Sequence, residues 1–152
     1  MHIMKDAATM ESKDPKDTFR VIGGSATNAG DKVFQHNGNG NLMSIKNFCA
    51  NNIGKLARSC GTCSGHNYPN RKFEIENVTV DRLNGTIVGL QENQNDRAIS
   101  LKNIKVTNAK SGAAICKIYQ YRNDGNSDPK HLRDSDGSDK VCSFGKDVKI
   151  SN

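Results

Sequence analysis

Three short strings constrain the fold of this chain more than anything else in it: SIKNFCA, EIENVTV and SLKNIKV. They align as aliphatic, charged, Asn, apolar, variable, then small or β-branched. The alignment puts Asn47, Asn77 and Asn103 in register at separations of 30 and 26 residues. A degenerate fourth copy, VKISN, ends at Asn152. Each unit reads as a short alternating strand followed by a Gly/Asn-rich turn, too small to bury its own apolar face. Stacked neighbours bury it instead, which is the logic of a solenoid.

The period is short for two-helix repeats (~33–47 residues), and no i, i+3, i+4 apolar stripe extends over ten residues. Strands of about five residues in coils of about 26 match a right-handed parallel β-helix. The sequence therefore predicts an all-β, single-stranded solenoid of five to six coils over residues 1–152. In that architecture the aligned asparagines are expected to stack inward at a bend between sheets. Composition agrees: apolar residues make up 34%, aromatics 5%, and there is no Trp, as suits a thin core repeated along an axis. FRVIGGSA, ahead of the first copy, reads as a strand and a Gly turn. Beyond Cys116 the pattern collapses into a polar loop expected to be stapled by Cys116 and Cys142. Closing a loop of that size contributes roughly 3–4 kcal/mol in the chain-entropy model.

Lys and Arg number 22 against 16 Asp and Glu, a net charge of +6. A basic surface favours polyanions, whether nucleic acids, anionic lipids or acidic polysaccharides. There is no Lys/Arg-rich run, and the few aromatics do not interleave with the cations, so stacking on single-stranded nucleic acid is poorly supported. No apolar run approaches the ~20 residues that span a bilayer. Five cysteines fit a disulfide-permissive, extracellular setting. MHIMKDAATM has no apolar core of a signal peptide. The expectation is that the natural N-terminus, leader included, is lost from this chain, and that the exposed coil end promotes self-association.

Four constellations bear on chemistry. Cys60, Cys63 and His66, with Cys49 as a fourth ligand, have some zinc spacing but no second knuckle, so a disulfide or structural turn is favoured. Asp134, Asp136, Gly137 and Asp139 resemble a calcium loop only faintly: counting from Asp134, the glycine falls at position 4 and position 12 is Gly145, which favours a solvated turn. The sequons at Asn77 and Asn84 are formal glycosylation acceptors. Asn84 is the credible one, since an inward Asn77 is inaccessible. Finally, Lys32, Lys55 and Arg58 stand singly among glycines and asparagines between Asp31 and Gly65. Residues 23 apart can lie on neighbouring rungs, about 4.8 Å apart. Cations so crowded repel one another, which favours a neutral amine able to act as a base. Ordinary exposed cations are the alternative.

FRVIGGSATNAGDKVFQHNGNGNLMSIKNF and IGKLARSCGTCS resemble the small pectate lyases of polysaccharide lyase family three, found in bacteria, fungi, oomycetes and plant-parasitic nematodes. The shared pattern is a Gly-Gly turn, DKVFQ-N, a short strand ending in N-F, then GKL-R. The resemblance covers nearly the whole chain. It implies a parallel β-helix and calcium-dependent β-elimination of polygalacturonate, acting on plant cell-wall pectin outside the cell, by a protein that is a monomer at full length. It places Lys32 as the leading base candidate, and Lys55 and Arg58 as catalytic residues that bind substrate carboxylates and stabilise the enolate-like intermediate. Arg71 is a further candidate for substrate binding. Asp6 matches the aspartate of the family's acidic calcium motif, whereas Lys5 stands where glutamate is expected and Met4 where many members have cysteine. The family carries further coils and part of its calcium site ahead of this point. The alternative is a non-catalytic, degenerate pectin-binding β-helix.

Overall fold

The computed structural model describes residues 6–125 and 128–152. It is a parallel β-solenoid of about four turns, so the sequence-based count of five to six is too high. The long strands explain the difference: β5 (Leu42–Ser59) and β6 (Lys72–Gln91) each run continuously around most of a coil. Fewer coils therefore account for the residues.

The coils present three faces. On the first, β2 (Thr18–Ile22), the first part of β5, the first part of β6 and β7 (Arg97–Thr107) pair in parallel. On the second, β3 (Ser25–Thr27), the middle of β5 and β6, the end of β7 and β10 (Val148–Ile150) continue the ladder. On the third, β1 (Ala8–Met10), β4 (Lys32–His36), the end of β5, the end of β6 and β8 (Ala114–Gln120) stack.

Strand alternation assigns the core. Inward columns run Phe19–Met43–Phe73–Ala98 and Val21–Ile45–Ile75–Leu101, while Arg20, Ser44, Glu74 and Ser100 alternate with them. Like stacks on like from coil to coil, so each added coil buries apolar area along the axis rather than around one centre. Phe34 joins Phe19 and Phe48 at ring-centroid distances of 6.2 and 5.4 Å.

The asparagine column exists, but on the other side of the wall. Asn77 Nδ2 donates to Asn47 Oδ1 (3.1 Å) and Asn103 Nδ2 to Asn77 Oδ1 (2.9 Å), yet all three residues are exposed. Their φ values are +56°, +54° and +49°. A left-handed residue turns the chain through the corner between faces and carries its side chain outward, and Asn tolerates that conformation better than other residues with a Cβ. The expected inaccessibility of Asn77 is therefore also corrected. A second exposed ladder joins Asn28, Asn52 and Asn84. The fourth repeat is also shifted: Val148 pairs with Ile104, so Asp147 takes the asparagine position, and its carboxylate accepts the Asn103 N–H at 2.8 Å.

Two disulfides close, Cys60–Cys63 and Cys116–Cys142. The first removes the zinc alternative, and Cys49 is left free and exposed. The segment between Cys116 and Cys142 is not all loop. Its β9 (Lys130–Ser135) pairs antiparallel with β8 and covers that strand's outer edge.

Candidate active site

The third face gathers the cations. Lys32 opens β4 and is the direct register partner of Lys55 on the next coil, while Gln35 partners Arg58. The spacing of 23 residues thus does place the two lysines on adjacent rungs. Between them sits Asp31, whose Oδ2 accepts from Lys32 Nζ (2.5 Å) and whose Oδ1 accepts from Lys55 Nζ (3.1 Å). Lys32 also pairs with Asp6 at 3.3 Å. The picture of bare cations repelling one another is corrected, because a shared carboxylate bridges the two lysines. Partial burial works to raise the Asp31 carboxyl, but the Lys32 and Lys55 hydrogen bonds and charges outweigh it and hold it below the usual range.

The glycine of GKL has a steric cause. A Cβ on Gly54 would lie 2.6 Å from Gly30 O and closer still to Asp31 O. The bare backbone lets the Gly30–Asp31 turn pack onto β5, where Lys55 N donates to Asp31 O at 2.7 Å. Gly85 repeats the arrangement one coil on, with a built Cβ 2.6 Å from Gly54 O. The turn that carries Asp31 is therefore seated by a residue without a side chain.

Solvent access differs across the cluster. The Lys32 side chain is 6% exposed and that of Lys55 21%, so Lys32 lies behind and Lys55 in front. Arg58 is half-buried and makes no hydrogen bond or ion pair with the described residues, and its Nε is buried without a partner. Ala57, between them in sequence, points inward and is fully buried.

Arg71 stands apart from this cluster in its contacts. It is fully buried, and its guanidinium donates to Gly38 O (2.8 Å), Gln94 Oε1 (3.0 Å) and His66 O. Every nitrogen of the group is used inside the fold, so the expectation of a substrate contact there is not carried forward. Burial holds the guanidinium below its usual pKa, opposed by the Asp96 charge. The same buried polar layer contains His36, whose Nδ1 accepts from Gly38 N and whose Nε2 therefore carries the proton toward Asn41 O (3.0 Å). Burial pushes His36 down to about 4. Asp96 is pushed up to about 6 by burial, against hydrogen bonds from Ser59 and the Gln91 N–H. Sequence reading missed Asp31, Gly54 and Asp96. For Asp31 a signal existed, since it immediately precedes Lys32.

Calcium takes six to eight oxygen ligands. Among the described residues no group of three or more His, Cys, Asp or Glu could hold a metal ion. Asp6 and Asp31 are the two carboxylates beside the lysines, and both face Lys32. This donor set does not by itself fit calcium. Met4 and Lys5, where the motif departs from the family, lie outside the described residues. The faint calcium loop is a hydrogen-bonded turn: Asp136 Oδ1 accepts from Ser138, and Asp139 pairs with Arg133 at 2.7 Å.

A parallel β-solenoid with two lysines and an arginine on adjacent rungs of one face defines the class: a β-solenoid with a basic face. Comparison with known proteins narrows the class. The chain belongs to the pectate lyase family, whose family model matches residues 1–126. It is 36% identical over 148 residues to probable pectate lyase E of Aspergillus clavatus, covering 97% of this chain and 53% of that protein. Probable pectate lyase D of Emericella nidulans is 34% identical, over 93% of this chain and 50% of that protein. Pectate lyase PelI of Erwinia chrysanthemi, solved in complex with tetragalacturonic acid, superposes with a TM-score of 0.78 at 29% identity, covering 97% of this chain and 49% of that one. The chain spans about half the length of the curated relatives it matches.

Proposed function

We propose that this chain acts on polygalacturonate by β-elimination, with Lys32, Lys55 and Arg58 on the third face as its site. The observation that carries the reading is the placement of these three on adjacent rungs, in a member of the pectate lyase family. A uronate in this chemistry loses the proton on C5 to a base. The electron pair left behind is delocalised toward the C5 carboxylate, and collapse to a C4–C5 double bond expels O4, which takes up a proton. Cations set where that negative charge develops lower the barrier. Lys32 is the leading base by motif match. Lys55, in front of it, and Arg58, with no hydrogen bond or ion pair to the described residues, are suited to bind substrate carboxylates. Calcium, where bound, would supply charge neutralisation of the uronate carboxylate; Asp6 and Asp31 are the described carboxylates beside the lysines and would need further oxygen ligands to hold it. The two disulfides support an extracellular setting, where plant cell-wall pectin is the natural polymer.

The test is ultraviolet absorbance of unsaturated product from polygalacturonate at alkaline pH, with and without calcium. Product from the wild-type chain, lost in Lys32→Ala and kept in Lys46→Ala, is the expected result. Lys46 is paired with Glu74 and Glu76 on the first face. Binding to polygalacturonate with no product at any calcium concentration would overturn the enzyme reading in favour of a non-catalytic pectin-binding β-helix.

A further inference from the structure

We propose that Tyr119 and Gly89 form the seat that positions Arg58, an inference that rests on the lyase reading of the third face. Gln35, Arg58, Gly89 and Lys117 share one outward register line across β4, β5, β6 and β8. The Arg58 guanidinium carbon lies 5.9 Å from the centre of the Tyr119 ring, within cation–π reach. Tyr119 belongs to β8, two rungs from β5, so the arginine must cross β6 to meet it. It crosses at Gly89. A Cβ there would lie 2.6 Å from Arg58 Cγ, 3.0 Å from Cδ and 3.2 Å from Tyr119 Cε2. The space of the missing side chain is filled by the arginine stem and the ring edge.

The ring is itself held in place. Tyr119 is buried, and His131 of β9 packs against it at 5.6 Å between centroids. Lys32 and Lys55 are fixed by a carboxylate, which neutralises part of their charge. Arg58 has no such partner among the described residues, so an aromatic face and a glycine gap orient it instead. That arrangement holds the side chain while leaving its charge uncompensated and its terminal N–H groups free for the two-pronged grip of a carboxylate. Tyr119 and Gly89 are thus positioning residues that act through Arg58.

The test uses the ¹⁵N-labelled chain and reads the Arg58 Nε–Hε resonance, assigned by its loss in Arg58→Lys. A proton over an aromatic ring is shifted by the ring current. Expected results are a displaced resonance in the wild type and in Tyr119→Phe, and its return to the free-arginine position in Tyr119→Leu and in Gly89→Ala. On polygalacturonate, kcat/KM falls roughly three- to tenfold in Tyr119→Leu and is restored by Tyr119→Phe. Should Tyr119→Leu fail to fold, Gly89→Ala supplies the same readout. An unmoved resonance in the leucine or alanine variant, or a phenylalanine variant as impaired as the leucine one, overturns the seat. A wild-type chain that makes no product defeats the lyase reading instead, and the resonance still decides the seat.

Discussion

Lys32 and Lys55 are direct register partners on neighbouring coils, and one carboxylate, Asp31, accepts a hydrogen bond from each of them. The solenoid supplies the pairing, because one turn of chain returns the backbone to the adjacent rung. The carboxylate supplies the tolerance, because two ammonium groups one rung apart would otherwise repel.

Asp31→Asn removes the bridging charge while keeping the shape. Asp31 is held below its normal carboxyl range, so its stabilising contribution is present above the unfolded value near 4 and is lost as pH falls through the lower folded value. The side chain is 40% exposed, which screens the interaction to under about 1 kcal/mol. Urea melts of wild type and variant should differ by that amount at pH 7 and converge in acid. A gap of equal size at both pH values would remove Asp31 as a charge bridge.

The buried layer beneath makes a sharper pH prediction. Asp96 is raised to about 6, so the native state holds its proton longer than the unfolded chain and this group lowers stability as pH rises from about 4 to 6. His36 is lowered to about 4, so the unfolded chain takes up the proton first and this group raises stability from about 4 to 6.5. Each effect is roughly 3 kcal/mol and the signs oppose. Stability contributed by this layer should be nearly flat across that window in the wild type. Asp96→Asn should unmask a rise with pH, readable in urea melts at half-unit steps; a flat profile in that variant would rule out a buried neutral His36.

At the corner, Asn77 both donates and accepts in the exposed ladder while holding φ at +54°. Asn77→Ala loses both bonds and strains the left-handed turn, at a cost of about 1–2 kcal/mol. Asn77→Gly loses the same bonds but adopts the turn freely, so it should melt above the alanine variant. Equal melting of the two variants would show that the ladder, rather than the turn, sets the requirement.

Gly54→Ala pushes a methyl group into the carbonyls of Gly30 and Asp31. Backbone has little room to yield, so a loss of about 1–3 kcal/mol is expected. Activity on polygalacturonate should fall further than stability alone explains, because the displaced turn carries Asp31 and Lys32. Wild-type kcat/KM in a folded Gly54→Ala chain would count against that coupling.

Much of this molecule is legible in its sequence, and the legible part has a common cause. Strand alternation and repeat spacing are translational properties of the chain. The pairing of Phe48 with Val78 and Val78 with Ile104 and the meeting of Lys32 with Lys55 follow from counting residues per coil. What counting could not supply is direction and company. The asparagine column was placed in the right register but on the wrong side, since a positive φ at a corner turns a side chain that strand alternation would have sent inward. Arg71 looks like any other basic residue in a polar stretch, yet three acceptors from separate segments enclose it. Asp31, Gly54, Gly89 and Tyr119 matter because coils far apart in sequence meet there, and which atoms meet depends on coil-to-coil register and corner dihedrals together. The sequence alone determined a stacked β-solenoid with its cations on neighbouring rungs. Only the tertiary structure decided which of those cations share a carboxylate and which makes no ion pair with the described residues, because that depends on coil-to-coil register.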